Sequence, residues 1–153
     1  MFSRQESSQL RQEFWTAFGQ YMKPVPSADG EKINWLNYKT GIKNVLFSMD
    51  AVNNAATISI KIIHPDIHLQ KLYYEQFLQM KHLLHNSLQE EWTWLLHTND
   101  EYGKTISKIF RSLTEVTVFN KGDWPTLISF FKPRIIALNE FWSFARYEFE
   151  NLP

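Results

Sequence analysis

The chain contains 153 residues and no cysteine, so disulfide bonds, thiol catalysis and thiolate metal sites are excluded. Hydrophobic residues make up 44% of it and aromatic residues 16%, a composition that excludes a disordered chain. The 16 basic residues balance the 16 acidic ones, no stretch reaches the roughly 18 apolar residues of a membrane span, and the first residues lack the apolar run of a signal peptide. We therefore expect one cytoplasmic domain over residues 1–153.

The N-terminal residues predict a long helix. Ser3 and Glu6 have the spacing of a capping box, and apolar residues follow at helical intervals along one stripe. The members of this stripe are Leu10, Phe14, Ala17, Phe18 and Tyr21. Two prolines and a glycine between Lys23 and Gly30 end the helix, so a surface loop is expected there.

Residues 33–64 predict two or three strands, because aromatic and β-branched side chains dominate this segment. Isoleucines at alternate positions from 58 to 62 form an apolar face, which we expect to lie on the helices. Asp50, Asn53 and Asn54 are interpreted as turn residues, since these types tolerate left-handed backbone geometry. The segment therefore predicts a hairpin.

The middle of the chain predicts a helix followed by strands. Pro65 fits the first helical position, and the helix is expected to run to about Leu88. Residues 91–98 are typical of a strand with two tryptophans on one side. Residues 104–113 fit either a strand or a helix, and residues 116–119 predict a short strand.

The C-terminal region predicts the last helix. Asp123 is its expected N-cap, with Trp124 and Pro125 in the first turn. Pro133 removes an interior hydrogen bond at a cost of about 3 kcal/mol, so a kink or break is expected near Lys132. Together the elements predict an α+β fold: an antiparallel or mixed β-sheet with a long N-terminal helix, a middle helix and a kinked C-terminal helix packed mainly on one face.

Several short blocks, taken in their order and spacing, are similar to a known family. They are Gln9–Trp15, Trp35–Lys43, the hairpin end at Ile63 and His64, and Phe119–Pro125. Over nearly the whole chain they resemble the bacterial domain of unknown function family 4268. The resemblance implies an accessory or binding role, with nuclease-like or defence proteins as partners, and it implies no functional residues.

The interpretation that we favour is a non-catalytic interaction module. Large aromatic side chains dominate interface energies, so those that are exposed would anchor a protein partner or a second copy of the chain. The candidates are Trp35, Tyr38, Tyr74, Trp92 and Trp94. In the opposing interpretation all of them belong to the core.

Nucleic-acid binding is the alternative, because basic residues are concentrated in segments 35–64 and 104–113, where Asp50 is the lone acid. The candidates for binding phosphates are Lys39, Lys43, Lys61, Lys104, Lys108 and Arg111. If these segments are neighbours in one sheet, a positive face results, with Trp35 or Tyr38 stacking on a base. The net charge of +0 favours ordinary solvated lysines instead.

The predicted order of elements also resembles the core of the restriction-endonuclease superfamily, in which acids and a lysine hold Mg²⁺ and position water. Asp50 and Ser59–Lys61 stand at the matching positions, and Glu13 is a further candidate ligand. Serine replaces the second acid of that pattern, and Asp50 has a structural explanation as a turn residue. We therefore expect no catalytic site and no cofactor, with a Mg²⁺-dependent nuclease using Asp50, Lys61 and Glu13 as the alternative.

Histidine pairs occur at helical spacing, at His64 and His68 and again at His82 and His85. A metal site needs further ligands, and neither pair has a suitable third residue on the same helical face. We expect these histidines to be solvated or hydrogen-bonded, and we expect no metal site.

Overall fold

The computed structural model describes residues 2–153, in which helices pack against a four-stranded sheet. The helices are α1 (Arg4–Met22), α2 (Ile67–Gln79), α3 (Lys81–Leu88) and α4 (Trp124–Ala145), and the strands are β1 (Val45–Val52), β2 (Ala55–Ile62), β3 (Thr93–Asn99) and β4 (Thr105–Thr114). Short 3-10 helices, Lys121–Asp123 and Arg146–Glu148, flank α4. Within residues 2–153, no helix combines the length and the apolarity needed to cross a membrane.

The sheet is antiparallel throughout, with the strand order β1-β2-β4-β3. Residues that face each other across antiparallel strands share one side of the sheet, so Phe47, Ile60 and Ile109 lie on the same side. This side is buried in the main core under the helices. The predicted α+β fold, with its helices mainly on one face of the sheet, is confirmed.

The hairpin turn between β1 and β2 follows the Asn-rich prediction. Asn53 and Asn54 have φ values of 55° and 56°, the left-handed geometry of a two-residue hairpin loop. The interpretation of Asp50 as a turn residue is wrong, because Asp50 lies inside β1 and pairs with Thr57. A two-residue loop needs only the asparagines, so the strand continues to Val52.

Residues 33–44 form an irregular segment instead of a further strand. This segment is tied down by side chains, since the Thr40 hydroxyl donates to the Val45 carbonyl at 2.7 Å and the Trp142 indole donates to the Thr40 carbonyl at 2.7 Å. Residues 116–119 are also a loop and not the predicted strand. Asp123 accepts a hydrogen bond there from the Thr117 N–H at 2.9 Å, so this acid anchors the loop and does not cap α4 with its side chain.

The first helix begins as predicted, with the Ser3 hydroxyl accepting from the Glu6 N–H at 3.1 Å, although Tyr21 of its predicted stripe is exposed. The predicted middle helix is two helices, because Met80 leaves the helical region and its N–H donates to the Phe77 carbonyl in a tight turn at 2.9 Å. Apolar residues at helical spacing, Phe77, Met80 and Leu84, run across this turn, so the sequence pattern gave no sign of it. The last helix, α4, continues through Pro133 without a break.

A buried polar cluster sets the register of β3. Gln70 is fully buried and donates to the His64 and Thr105 carbonyls, both at 3.0 Å, while the Ser107 hydroxyl donates to its side-chain oxygen at 2.7 Å. The same hydroxyl accepts from the His97 N–H at 3.0 Å. His97 has a φ of 50° and lies in a β-bulge, so the cluster holds the bulge in place.

Candidate functional site

The side of the sheet away from the helices has no secondary-structure layer over it, and we call it the open face. The register aligns its side chains in rows, because Leu46 pairs with Lys61, Lys61 with Lys108 and Lys108 with Leu95. Its members are Leu46, Ser48, Asp50, Val52, Thr57, Ser59, Lys61, Thr93, Leu95, Ile106, Lys108, Phe110 and Ser112. Apart from the bulge in β3 between Leu95 and Thr98, every second residue of the four strands therefore faces outward.

Several aliphatic side chains on and beside the open face are exposed to solvent. Their exposed fractions are 44% for Leu46, 47% for Val52, 37% for Ile63 and 38% for Leu95. A concavity of about 810 Å³ lies over part of the face, where residues 99–105 and 63–67 contribute to its wall. Ile106 is buried in its lining although it lies outside the main core. The site is thus a hollow with a mixed apolar and charged lining, formed between the sheet and the β3–β4 connection.

Charges on the open face are largely compensated locally. The Lys61 ammonium lies 3.7 Å from the Asp50 carboxylate, which also accepts from the Ser48 hydroxyl at 3.3 Å. The Lys108 ammonium lies 4.5 Å from the centre of the Phe110 ring, a cation–π contact. Because Lys61 and Lys108 are direct cross-strand neighbours, these two contacts reduce the repulsion between them.

The family assignment rests on nearly the whole domain. A family model described as domain of unknown function (DUF4268) matches residues 10–146. The chain belongs to this family. No curated protein and no solved structure matches the chain.

The DUF4268 match spans all four strands, so the open face lies within the family domain. The resemblance predicted from sequence is therefore confirmed. The blocks that carried it lie in α1, in the irregular segment before β1, at the end of β2 and at the start of α4.

The six basic residues predicted to share a sheet face are divided by the fold. Lys61 and Lys108 lie on the open face, and Lys104 lines the same concavity. Lys39 and Lys43 lie in the irregular segment before β1, where Lys39 lines a different cavity. The structure therefore brings Lys61, Lys104 and Lys108 together and separates them from the others, since an irregular segment replaces the first predicted strand.

Arg111 points to the helix side of the sheet and joins an ion cluster. Glu90 accepts from Arg134 in two hydrogen bonds of 2.7 and 3.0 Å and from the Trp92 indole at 3.0 Å, and Arg111 approaches it to 3.9 Å. Partial burial raises the pKa of Glu90, but the hydrogen bonds from Arg134 and Trp92 lower it by more, so the pKa lies below its ordinary value. This cluster links the α3–β3 connection to α4.

Trp35 cannot stack on a base, and that part of the nucleic-acid prediction is wrong. It is 3% exposed, and its indole N–H donates to the Val25 carbonyl at 2.9 Å. Tyr74 and Trp92, expected as candidate anchors for a partner, are also buried. These aromatic side chains fill the space between the helices and the covered side of the sheet.

The three candidate nuclease residues are not assembled as a metal site. Asp50 and Lys61 are adjacent, but Glu13 lies on α1 and pairs with Lys121 at 3.8 Å. Among residues 2–153, no group of three or more His, Asp or Glu side chains is positioned to hold a metal ion. Asp50 and Lys61 instead form a cross-strand ion pair within the open face.

A second cavity, of about 480 Å³, lies between the irregular segment and α4. Its wall is a hydrogen-bonded chain in which Asn139 accepts from the Ala28 N–H and donates to the Tyr38 hydroxyl oxygen, both at 2.7 Å. Burial raises the pKa of the Tyr38 hydroxyl, although the bond from Asn139 opposes this. The two hydrogen bonds of Asn139 fasten residues 28–38 to α4 and so hold a segment that has no regular secondary structure.

Several open-face residues were absent from the sequence-based candidates, chiefly Leu46, Ile63, Leu95, Ile106 and Phe110. In residues 104–113, apolar side chains occur on both sides of the strand, with Ile106 and Phe110 outward and Ile109 inward. Alternation therefore gave no single apolar face. One signal was available: Lys108 lies two residues from Ile106 and from Phe110, so a strand would place all three on the same side as Lys61.

Proposed function

We propose that this domain is a non-catalytic interaction module that binds an apolar segment of a partner protein in the hollow of its open face. The observation that carries the proposal is that the exposed aliphatic side chains of Leu46, Val52 and Ile63 line a concavity of about 810 Å³. Leu95, also exposed, lies on the same face as the cross-strand partner of Lys108 in the lining. A contiguous apolar surface with polar residues at its rim is typical of a protein-binding site. Following the family resemblance, nuclease-like and defence proteins are the first partner classes to test.

The charge distribution supports a protein partner over a nucleic acid. Asp50 compensates Lys61 on the open face, and Asp100 and Glu101 line the same concavity as Lys104. The whole chain has a net charge of +0, which gives little long-range attraction for phosphates. Apolar side chains, by contrast, gain free energy when a partner covers them.

The second candidate is binding of single-stranded nucleic acid on the same face. It is favoured by one specific observation, the placement of Phe110 beside Lys108 and opposite Ser59 on a central strand. An aromatic ring with nearby lysines on an uncovered sheet can stack a base while the ammonium groups contact phosphates. Phe110 takes the stacking role that the sequence assigned to Trp35.

The test of the protein-binding proposal is selection of peptides on the intact domain. A phage-displayed random-peptide library is panned on the wild-type domain, with counter-selection on the variant Ile63→Asp/Leu95→Asp. The matched control is Leu83→Asp, because Leu83 is 46% exposed but lies on α3. We expect selected peptides to share apolar residues, to bind the wild type and the control equally, and to bind the double variant at least about tenfold more weakly.

Peptides that bind all three proteins equally, or no selective enrichment, would contradict a binding hollow. Fluorescence anisotropy with labelled single-stranded DNA and RNA separates the second candidate. Binding that weakens steeply with salt and falls in Lys61→Glu/Lys108→Glu would support a nucleic-acid partner. Mg²⁺-dependent cleavage of the same oligonucleotides, lost in Asp50→Asn, would overturn the non-catalytic part of the proposal.

A further inference from the structure

The outer edge of β1 carries backbone groups without partners in the domain. The Ile63 N–H donates to the Asn44 carbonyl, which sets the alternation of hydrogen bonds along the hairpin. Even-numbered residues of β1 therefore bond to β2, while Phe47, Met49 and Ala51 direct their N–H and C=O groups outward. Within residues 2–153, β1 pairs with β2 alone, and no other element bonds to these three residues.

Hydrogen bonds within the domain occupy the start of this edge. The Val45 N–H donates to the Ile42 carbonyl at 3.2 Å, and the Val45 carbonyl accepts from the Thr40 hydroxyl. Beyond Val45 the strand is regular and pairs residue for residue with β2 as far as Val52. It contains no proline, no lysine and no bulge, three of the devices that commonly protect an edge strand, and its one charged side chain, Asp50, is paired with Lys61.

The opposite edge of the sheet, β3, is protected against pairing with another strand by a β-bulge. β3 is interrupted by the bulge at His97, and its register with β4 shifts between Leu95 and Thr98. A bulged strand cannot offer a continuous row of donors and acceptors to a second strand. The two edges therefore differ, and β1 is the one that is competent to pair.

We propose that β1 pairs antiparallel with β1 of a second copy of this chain, with Met49 opposite Met49 on the two-fold axis. In this register Phe47 of each copy faces Ala51 of the other. All three outward-facing residues of each copy then find partners, which gives about six backbone hydrogen bonds. The interface is isologous and closed, as expected for a two-fold dimer.

Side-chain chemistry selects this register among its neighbours. On the open face, Leu46 meets Val52 and Ser48 meets Asp50, which are an apolar pair and a hydrogen-bonding pair. A shift of two residues in one direction places Leu46 against Asp50, and the same shift in the other direction places Asp50 against Asp50. A shift of one residue turns the open face of one copy against the core side of the other. The Met49-centred register avoids all three penalties.

The dimer goes beyond the proposed binding function and does not depend on it, because its hydrogen bonds come from the backbone edge of β1. Leu46 and Val52 line the hollow and also lie beside the seam, so the two sites adjoin each other. It would join the open faces of two copies into one eight-stranded surface. Two partner segments, or one longer segment, would then bind on the same side.

Disulfide trapping tests the register directly, since the chain has no cysteine of its own. In the proposed dimer, positions 46 and 52 of opposite copies have Cα atoms about 4.5 Å apart, within the range that a disulfide spans. Two copies of position 46 lie about 20 Å apart along the strands. We expect a mixture of Leu46→Cys and Val52→Cys proteins to cross-link under mild oxidation, and each variant alone to remain uncross-linked.

A solution measurement provides the second arm. Sedimentation velocity over a concentration series should show a reversible wild-type dimer. Met49→Lys, which brings two ammonium groups together on the axis, should raise the dissociation constant by about tenfold or more, while Met49→Leu leaves it within about threefold. Circular dichroism of Met49→Lys checks that the monomer is folded.

A wild-type protein that stays monomeric at all concentrations would overturn the proposal, as would cross-linking of Leu46→Cys alone at the rate of the mixture. The hollow is tested separately, because Ile63→Asp/Leu95→Asp is expected to lose peptide binding and still dimerise. Loss of dimerisation in Met49→Lys with peptide binding retained would distinguish the two sites.

Discussion

The two sides of the sheet use the same strands for different purposes. On β2, the residues that point to the helices are Ala56, Ile58, Ile60 and Ile62, all fully buried, whereas Thr57 and Lys61 point to the open face. The covered side is packed with aromatic and branched side chains, and the open side mixes exposed aliphatic residues with an ion pair. Stability is thus expected to depend on one side of each strand and recognition on the other.

The largest effect is expected on the covered side. Ile60→Ala removes a fully buried side chain from the middle of β2 and should lower the free energy of unfolding by about 2–5 kcal/mol. Leu95→Ala on the open face is the matched control and should cost less than about 1 kcal/mol. Urea unfolding followed by tryptophan fluorescence measures both. Equal losses for the two variants would remove the distinction between the sides.

The ion cluster at Glu90 should give the next largest effect. Glu90→Gln leaves the partly buried Arg134 without its charged partner, so we expect a loss of about 2–3 kcal/mol at pH 7. Lys121→Ala, at an exposed surface pair with Glu13, is the control and should change little.

The pH dependence of the same variant sharpens this expectation. The pKa of Glu90 is lower in the folded state than in the unfolded state, where it is near its ordinary value of 4.5. Its contribution is therefore present above that value and is lost as the pH falls through the folded-state pKa. The difference in the free energy of unfolding between the wild type and Glu90→Gln, measured by urea titration, should become smaller as the pH is lowered. A difference that stays constant from pH 7 to pH 3 would contradict the idea that the ionised Glu90 carboxylate stabilises the folded state.

Loss of the bridge between α4 and the irregular segment should have an intermediate effect. Asn139→Ala leaves the Ala28 N–H and the Tyr38 hydroxyl without a partner, at a cost of about 1–3 kcal/mol. Hydrogen exchange should accelerate first in residues 28–38. Ser143→Ala, one helical turn further along α4, is the control, and equal exchange rates in both variants would argue against the bridge.

The smallest effect is expected for the ion pair of the open face. Asp50→Asn breaks a contact of 3.7 Å between partly exposed groups and should change the free energy of unfolding by less than about 1 kcal/mol. Chemical denaturation at low and high salt measures it. A larger loss would mean that the open face also supports stability.

The elements with strong local signals were predicted correctly from the sequence. The capping box at Ser3, the asparagine turn at Asn53 and the start of α4 at Trp124 and Pro125 each follow from interactions within a few residues. The irregular conformation of residues 33–44 could not be predicted in this way, because the Thr40 carbonyl accepts a hydrogen bond from Trp142 of α4, 102 residues away in the sequence.

The candidate site was predicted only in part. Lys61 and Lys108 were both among the candidates, and they are neighbours on the open face. Arg111 was placed with them from sequence, but it lies on the other side of β4 and contacts Glu90. Side chains of successive strand residues point to opposite faces, so Arg111, three residues after Lys108, lies on the other face. The sequence left residues 104–113 open between strand and helix and therefore did not show this.

By itself the sequence determined the fold class, the hairpin and the identity of the family, because these depend on local propensity, on spacing and on the order of motifs. The tertiary structure alone decided which aromatic residues are buried, which lysines meet, and that one face and one edge of the sheet are left uncovered. These features depend on how many layers pack on the sheet and on the order of its strands. Both are set by contacts between segments far apart in the chain, which no local pattern encodes.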